Sequence, residues 1–235
     1  MDGPDSPEDP WQLHHVPILP ESVPTKYRRC RPSGPAVPSW PDAWRDMMLH
    51  AWIDESARVA NAEPPAYFLG RVIAAPDASE AHRDALRPLQ NTRRKLHWRD
   101  IDGPHRRRVI SVIRGFDVRH VVVVGTPMDP KRQERARALC LERLAWELCE
   151  RHRVIHTTLE ARTPSLMQRD RRTIDALRGR GGLPRGMRVD HGNPLDEPML
   201  WIADQVVGAA GDAHTGDDRW FRALADSVDL VRIEL

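Results

Sequence analysis

Lysine is nearly missing from this sequence. Three lysines, Lys26, Lys95 and Lys131, stand against 33 arginines. Such a bias mostly reflects a GC-rich coding genome, so arginine abundance alone says little about nucleic acid. Cysteine is scarce too: Cys30, Cys140 and Cys149 form no C-x-x-C pair and cannot all pair with one another. That excludes a cysteine zinc site, and free thiols in a reducing cytoplasm are the simplest account. No apolar run approaches the ~18 residues of a membrane-crossing helix, so no membrane partner is expected. The acidic, proline-rich start, MDGPDSPEDPWQ, is not the pattern of a secretory signal. No glycine-rich phosphate loop with its lysine and hydroxyl residue is present, and no serine or cysteine has a nucleophile context.

What remains is a chain of 235 residues, 40% hydrophobic and 30% charged, long enough for one substantial core plus a tail. Ten of the 21 prolines fall between Pro4 and Pro41. Prolines so closely spaced suit neither helix nor central strand. Residues 1–45 therefore read as an extended, partly disordered arm that would dock through Trp11, Leu13, Val16 and Ile18. Residues 46–235 read as one α/β domain.

Within it, strands are expected at 48–54, 67–74, 119–126, 154–161 and 187–190, with VDLVRIEL strand-like at the end. Helices are expected at 78–86, after the Asp102-Gly103-Pro104 start signal, from Pro130 to about His152, at 165–178, 198–210 and 217–225. The four valines of RHVVVVGT mark the most buried strand. The order β-β-α-β-α-β-α-β-α calls for a mixed sheet covered by helices.

Three acidic positions stand out on this layout. Asp54 and Glu55 sit at the expected end of the first strand, Glu160 at the end of VIHTTLE, and Asp204 inside the apolar helix MLWIADQVVGAAG. Carboxylates at strand ends, with one more from a helix packed on them, suit Mg²⁺ or Mn²⁺, because hard cations take oxygen ligands and neutralise crowded acids. Two such ions would activate a water and stabilise the leaving oxygen of a phosphodiester. An aspartate among apolar residues needs a partner when buried, and Gly208 and Gly211 would let the helix approach its neighbour closely. Successive strand residues point to opposite faces, so Glu55 joins Asp54 only if the backbone turns at Ser56.

Basic clusters at Arg93-Arg94-Lys95, Arg106 to Arg108 and Arg169 to Arg172 are candidates for phosphate contact. Arg93, Arg94, Arg106, Arg107, Arg169 and Arg171 are the named candidates for touching nucleic acid, although charge runs are ordinarily solvated faces.

The segments W-I-D-E-S at Trp52 to Ser56, Y-F-L-G-R-V-I at Tyr67 to Ile73, K-L-H-W-R-D at Lys95 to Asp100, L-E-A-R at Leu159 to Arg162 and L-W-I-A-D-Q-V-V-G-A at Leu200 to Ala209 together resemble the bacterial domain-of-unknown-function 3800 family. The resemblance spans roughly residues 47–225. It implies an RNase H-like mixed sheet flanked by helices, with Asp54 as the first-strand acid and Asp204 as the late-helix acid. Glu160 stands where an aspartate is usual, one methylene longer, and His97 matches a recurrent polar position.

The leading expectation is a metal-dependent nuclease or phosphodiesterase in which Asp54, Glu160 and Asp204 hold Mg²⁺ or Mn²⁺, with Glu55 as an auxiliary. The alternative is a catalytically degenerate RNase H-like module that binds nucleic acid or a protein partner. A third possibility is a homo-oligomer tied together by the N-terminal arm.

Overall fold

The computed structural model describes residues 48–90, 94–151 and 154–235. The proline-rich arm and Arg93 lie outside them. Strand β1 (Leu49–Arg58) pairs antiparallel with β2 (Ala66–Ala74), which pairs antiparallel with β3 (Arg119–Gly125). Strand β4 (Val154–Glu160) lies parallel to β1 on its other side, and β5 (Arg188–Gly192) parallel to β4. The last strand, β6 (Val228–Ile233), adds in parallel beyond β3, giving the order β5-β4-β1-β2-β3-β6. This is a mixed six-stranded sheet flanked by helices, the expected fold class.

Helices cover both faces. On one lie α1 (Ser79–Leu86), α2 (Gly103–Arg114), α5 (Met199–His214) and α6 (Arg219–Arg222), packed on Trp52, Phe68, Val72 and Val122. On the other lie α3 (Gln133–Arg151) and α4 (Pro164–Gly179), packed on Leu49, Ile53, Leu69 and Val123. Strand β2 is buried along its whole length because it is covered on both faces. Asp102 caps α2, its side chain accepting from the His105 amide at 2.9 Å, with proline in the first turn. Among the described residues no helix is long and apolar enough to cross a membrane.

Three sequence expectations need correction. Strand β1 does not stop at Asp54 but runs on to Arg58, because both acids are neutralised where they stand, as described below. Helix α5 continues to His214 rather than ending near Ala210, and the helix expected over 217–225 shrinks to four residues. The length of α5 matters most: its residues from Met199 to Gly211 are all buried. At Gly208 a Cβ would stand 2.2 Å from Cγ of Trp98, and at Gly211 one would stand 2.5 Å from Cζ of Arg58. The small residues therefore seat an indole and a guanidinium directly on the helix backbone.

One core group makes the fold sensitive to acid. His120 of β3 is fully buried, and neither ring nitrogen has a hydrogen-bond partner among the described residues. Burial, with Arg119 adding to it, pushes its pKa down to about 3. The unfolded chain binds that proton near the ordinary ~6.5, so below that pH the unfolded state binds more protons and stability falls. From pH 8 to pH 5 this group is expected to remove about 2 kcal/mol. In His120→Leu that part of the pH dependence should vanish from denaturant midpoints measured at both pH values. Equal acid sensitivity in the two proteins would refute it.

Candidate functional site

Asp54 lies in the middle of β1, opposite Gly70 of β2, and is only 4% exposed. Alternation along the strand puts it on the α5 face with Trp52. The parallel register pairing Ile53 with Leu159 brings Glu160, the last residue of β4, beside it. Asp204, 3% exposed, descends from α5 onto the same spot. The three acids that the sequence singled out for a metal thus come from three separate elements and meet.

They meet on a lysine. Lys95 Nζ lies 2.8 and 2.7 Å from the two Glu160 oxygens, 3.2 Å from Asp54 Oδ2 and 3.8 Å from Asp204 Oδ1. Burial disfavours its charged form, yet the attraction of Asp54, Asp204 and Glu160 outweighs this and holds the ammonium above the ordinary lysine range. Burial pushes the Asp54 carboxyl well up, Lys95 opposes the rise, and crowding by Asp204 and Glu160 reinforces it.

Asp204 is the most heavily bonded of the three. Its Oδ2 accepts from the Trp98 amide at 2.6 Å and from Gln205 Nε2 at 3.1 Å, and its Oδ1 lies 3.0 Å from His97 Nδ1. Gln205 Nε2 also donates to the Leu96 carbonyl at 3.1 Å. The irregular segment carrying Lys95 is thereby stitched to α5 through Leu96 on one side and Trp98 on the other.

The donor set has the chemistry of a hard-cation site: three carboxylates, with the buried Gln205 Oε1, which has no hydrogen-bond partner among the described residues, on an amide touching Asp204. With the ammonium in place the carboxylate oxygens stand 2.7–3.8 Å from its nitrogen, so Mg²⁺, which takes oxygens at ~2.0–2.1 Å, would have to replace the ammonium and draw them inward. As the side chains stand around Lys95, no group of three or more histidine, cysteine, aspartate or glutamate side chains among the described residues is drawn together closely enough for a metal ion.

Glu55 is not part of this cluster. It projects to the opposite face, where it pairs with Arg137 and lies 3.6 Å from Arg162. No turn occurs at Ser56, so strand alternation separates the adjacent acids.

The arginines are split as well. Arg106 of α2 stacks over the Trp98 ring at 4.3 Å and reaches Asp212 Oδ2 at 3.2 Å. Arg58 joins from the end of β1, donating to Asp212 Oδ1 at 2.9 Å and to the Gly208 carbonyl at 3.0 Å. With Arg99 and Gln133 these residues line an open groove of about 540 Å³. Arg94 is exposed in the segment leading to Lys95, and Arg107 is exposed on α2. Arg169 and Arg171 are exposed on α4, on the other side of the sheet from Asp204. Sequence reasoning placed Lys95 only in a basic cluster for phosphate contact and at the start of K-L-H-W-R-D, and missed its place among the acids; it also missed the pair Arg58–Asp212, whose partners lie far apart in the chain.

Neither a protein-family model nor a curated protein sequence matches the chain. Among solved structures the chain is similar to ribonuclease HII in its complex with PCNA from Archaeoglobus fulgidus. Identity is 14%, over 75% of this chain and 86% of that one, with a TM-score of 0.49. It is also similar to ribonuclease H2 from Pyrococcus horikoshii OT3, at 13% identity over 71% of this chain and 74% of that one, again with a TM-score of 0.49. Likeness of this order concerns the path of the chain and says nothing of its chemistry.

Proposed function

We propose that the protein is a divalent-metal-dependent nuclease or phosphodiesterase acting on nucleic acid. One observation carries the reading: Asp54, Glu160 and Asp204, from β1, β4 and α5, converge on a single cation position within 3.8 Å. Buried acids crowd in this way where a positive charge or a bound proton offsets their repulsion, and the position is one that a cation occupies, here Lys95 Nζ. Mg²⁺ or Mn²⁺ bound there would supply Lewis acidity and offset the charge of a phosphodiester. Asp54 and Glu160, on neighbouring strands, would grip the ion from the sheet, and Asp204 would grip it from the helix. Trp98 fixes Asp204 through its amide and carries Arg106 on its ring, and Arg58, Arg99 and Arg106 of the groove that Trp98 lines would hold phosphates without reading bases. Membership of the domain-of-unknown-function 3800 family is the matching finer reading, supported by the W-I-D-E-S and L-W-I-A-D-Q-V-V-G-A segments.

The test is cleavage of single- and double-stranded RNA and DNA with Mg²⁺ or Mn²⁺. Activity should stop with chelator and fall about a thousandfold, several kcal/mol of barrier, in Asp54→Asn and Glu160→Gln. Cleavage by both variants at the wild-type rate would end the proposal. The second reading, a non-catalytic nucleic-acid-binding module, is favoured by the ammonium already bound to the acids. It expects binding that survives chelation, weakens steeply with salt and is never followed by cleavage.

A further inference from the structure

Lys95 is the group in the cluster that the proposed chemistry leaves unexplained. A salt bridge needs one carboxylate, and this ammonium faces three, from three different elements. An ammonium is a compact point charge with three donors, whereas a guanidinium is a flat fork that matches carboxylates edge to edge. In a chain with 33 arginines against three lysines, the cation among Asp54, Glu160 and Asp204 is a lysine, whereas the three acids Glu55, Glu134 and Asp170 on the other face of the sheet gather on a guanidinium, that of Arg162. The side chain fits the place of a small cation rather than that of an ordinary ion-pair partner. Its backbone is also fixed: the Leu96 carbonyl and the Trp98 amide are both bonded to α5 residues, so Lys95 is delivered to the cluster from an anchored base.

We propose that Lys95 is the resident cation of the carboxylate cluster and competes with a divalent ion for the position shared by Asp54, Glu160 and Asp204. An ammonium and a divalent ion cannot both stand at one point 2.7 Å from the Glu160 oxygens. Binding of Mg²⁺ or Mn²⁺ therefore requires the lysine side chain to swing out. The side chain is 19% exposed, so it meets solvent from within the cluster. The inference rests on the metal-centre reading above but not on cleavage itself.

Two measurements test it. Calorimetric titration with Mn²⁺ alone should show Lys95→Met and Lys95→Gln binding about tenfold tighter or more than wild type, because three acids lose their internal counter-charge. Affinities equal to wild type in folded variants would overturn the proposal. The second measurement needs no variant and decides the matter if these fail to fold. In reductive methylation of the wild-type chain, read by peptide mass, Lys95 should label more slowly than the exposed Lys131. Mg²⁺ should then raise the labelling of Lys95 alone, and labelling of Lys95 indifferent to Mg²⁺ would overturn the competition. Tight Mn²⁺ binding by Lys95→Met in a protein that cleaves no nucleic acid would uphold the competition and remove the nuclease reading. Chelator-sensitive cleavage with Lys95 labelling unchanged would do the reverse.

Discussion

Replacing Arg137 with alanine is expected to destabilise the protein by about 3–5 kcal/mol, the range for removing one partner of a buried ion pair. Arg137 is 1% exposed on α3. Its Nε and Nη2 donate to the two oxygens of Asp170 at 2.8 and 2.9 Å, and its Nη1 donates to Glu55 and lies 3.5 Å from the Tyr67 hydroxyl. Burial alone would raise the Asp170 carboxyl, but the hydrogen bonds and charge of Arg137, joined by Arg162, hold it below the usual range. Arg162 Nη2 reaches Asp170 at 2.9 Å and its Nη1 reaches Glu134 at 2.7 Å, so alanine at 137 would leave Asp170 and Glu55 sharing one arginine. Denaturant unfolding should show the midpoint falling with the slope unchanged. A double variant, Arg137→Met with Asp170→Leu, should lose less than Arg137→Ala alone, since the buried Asp170 charge is then gone and Glu55 keeps Arg162 at 3.6 Å. A loss under about 1 kcal/mol in Arg137→Ala would mean that the network is peripheral.

The network also supports the site from behind. Glu55 is the chain neighbour of Asp54, and Arg162 follows Glu160 by two residues. Ion pairs on the α3–α4 face therefore fix the two strand positions whose side chains carry acids on the α5 face. Two layers of charge, one on each side of β1 and β4, hold the backbone between them.

This is also why the strand end was misread. In isolation, two consecutive acids after an apolar run look like a strand running out into water. Here Asp54 is neutralised by Lys95, 41 residues on, and Glu55 by Arg137, 82 residues on. No local pattern encodes either partner, so the continuation of β1 to Arg58 was invisible. Asp204 was legible because an acid amid apolar and small residues on a helix demands a partner, and the glycines at 208 and 211 announced a close approach. What approached them could not be read. Trp98 and Arg58 are brought there by tertiary packing, from an irregular segment and from the strand extension that had gone unrecognised. Arg106 was read as a free phosphate contact because its tie to Asp212 spans 106 residues.

The other large effect is expected at Asp204, and there stability and chemistry must be kept apart. Alanine at this position would strand the buried Trp98 amide and remove an acceptor from the Gln205 side chain, at roughly 1–3 kcal/mol each, about 2–6 kcal/mol together. Asp54 differs. Its hydrogen bonds come from the Glu55 amide at 2.7 Å and from Lys95, while burial and two neighbouring acids work against its charge. Asp54→Asn keeps an acceptor oxygen and relieves the crowding, so its stability should stay within about 1 kcal/mol of wild type or rise above it. Unfolding curves for the two variants, measured side by side, check the contrast, and an Asp204→Ala protein as stable as wild type would disprove the anchoring role. If the contrast holds, inactivity in Asp204→Ala would follow from displacement of the Leu96–Trp98 segment as readily as from a lost ligand. Inactivity in a stable Asp54→Asn protein would report on the carboxylate itself.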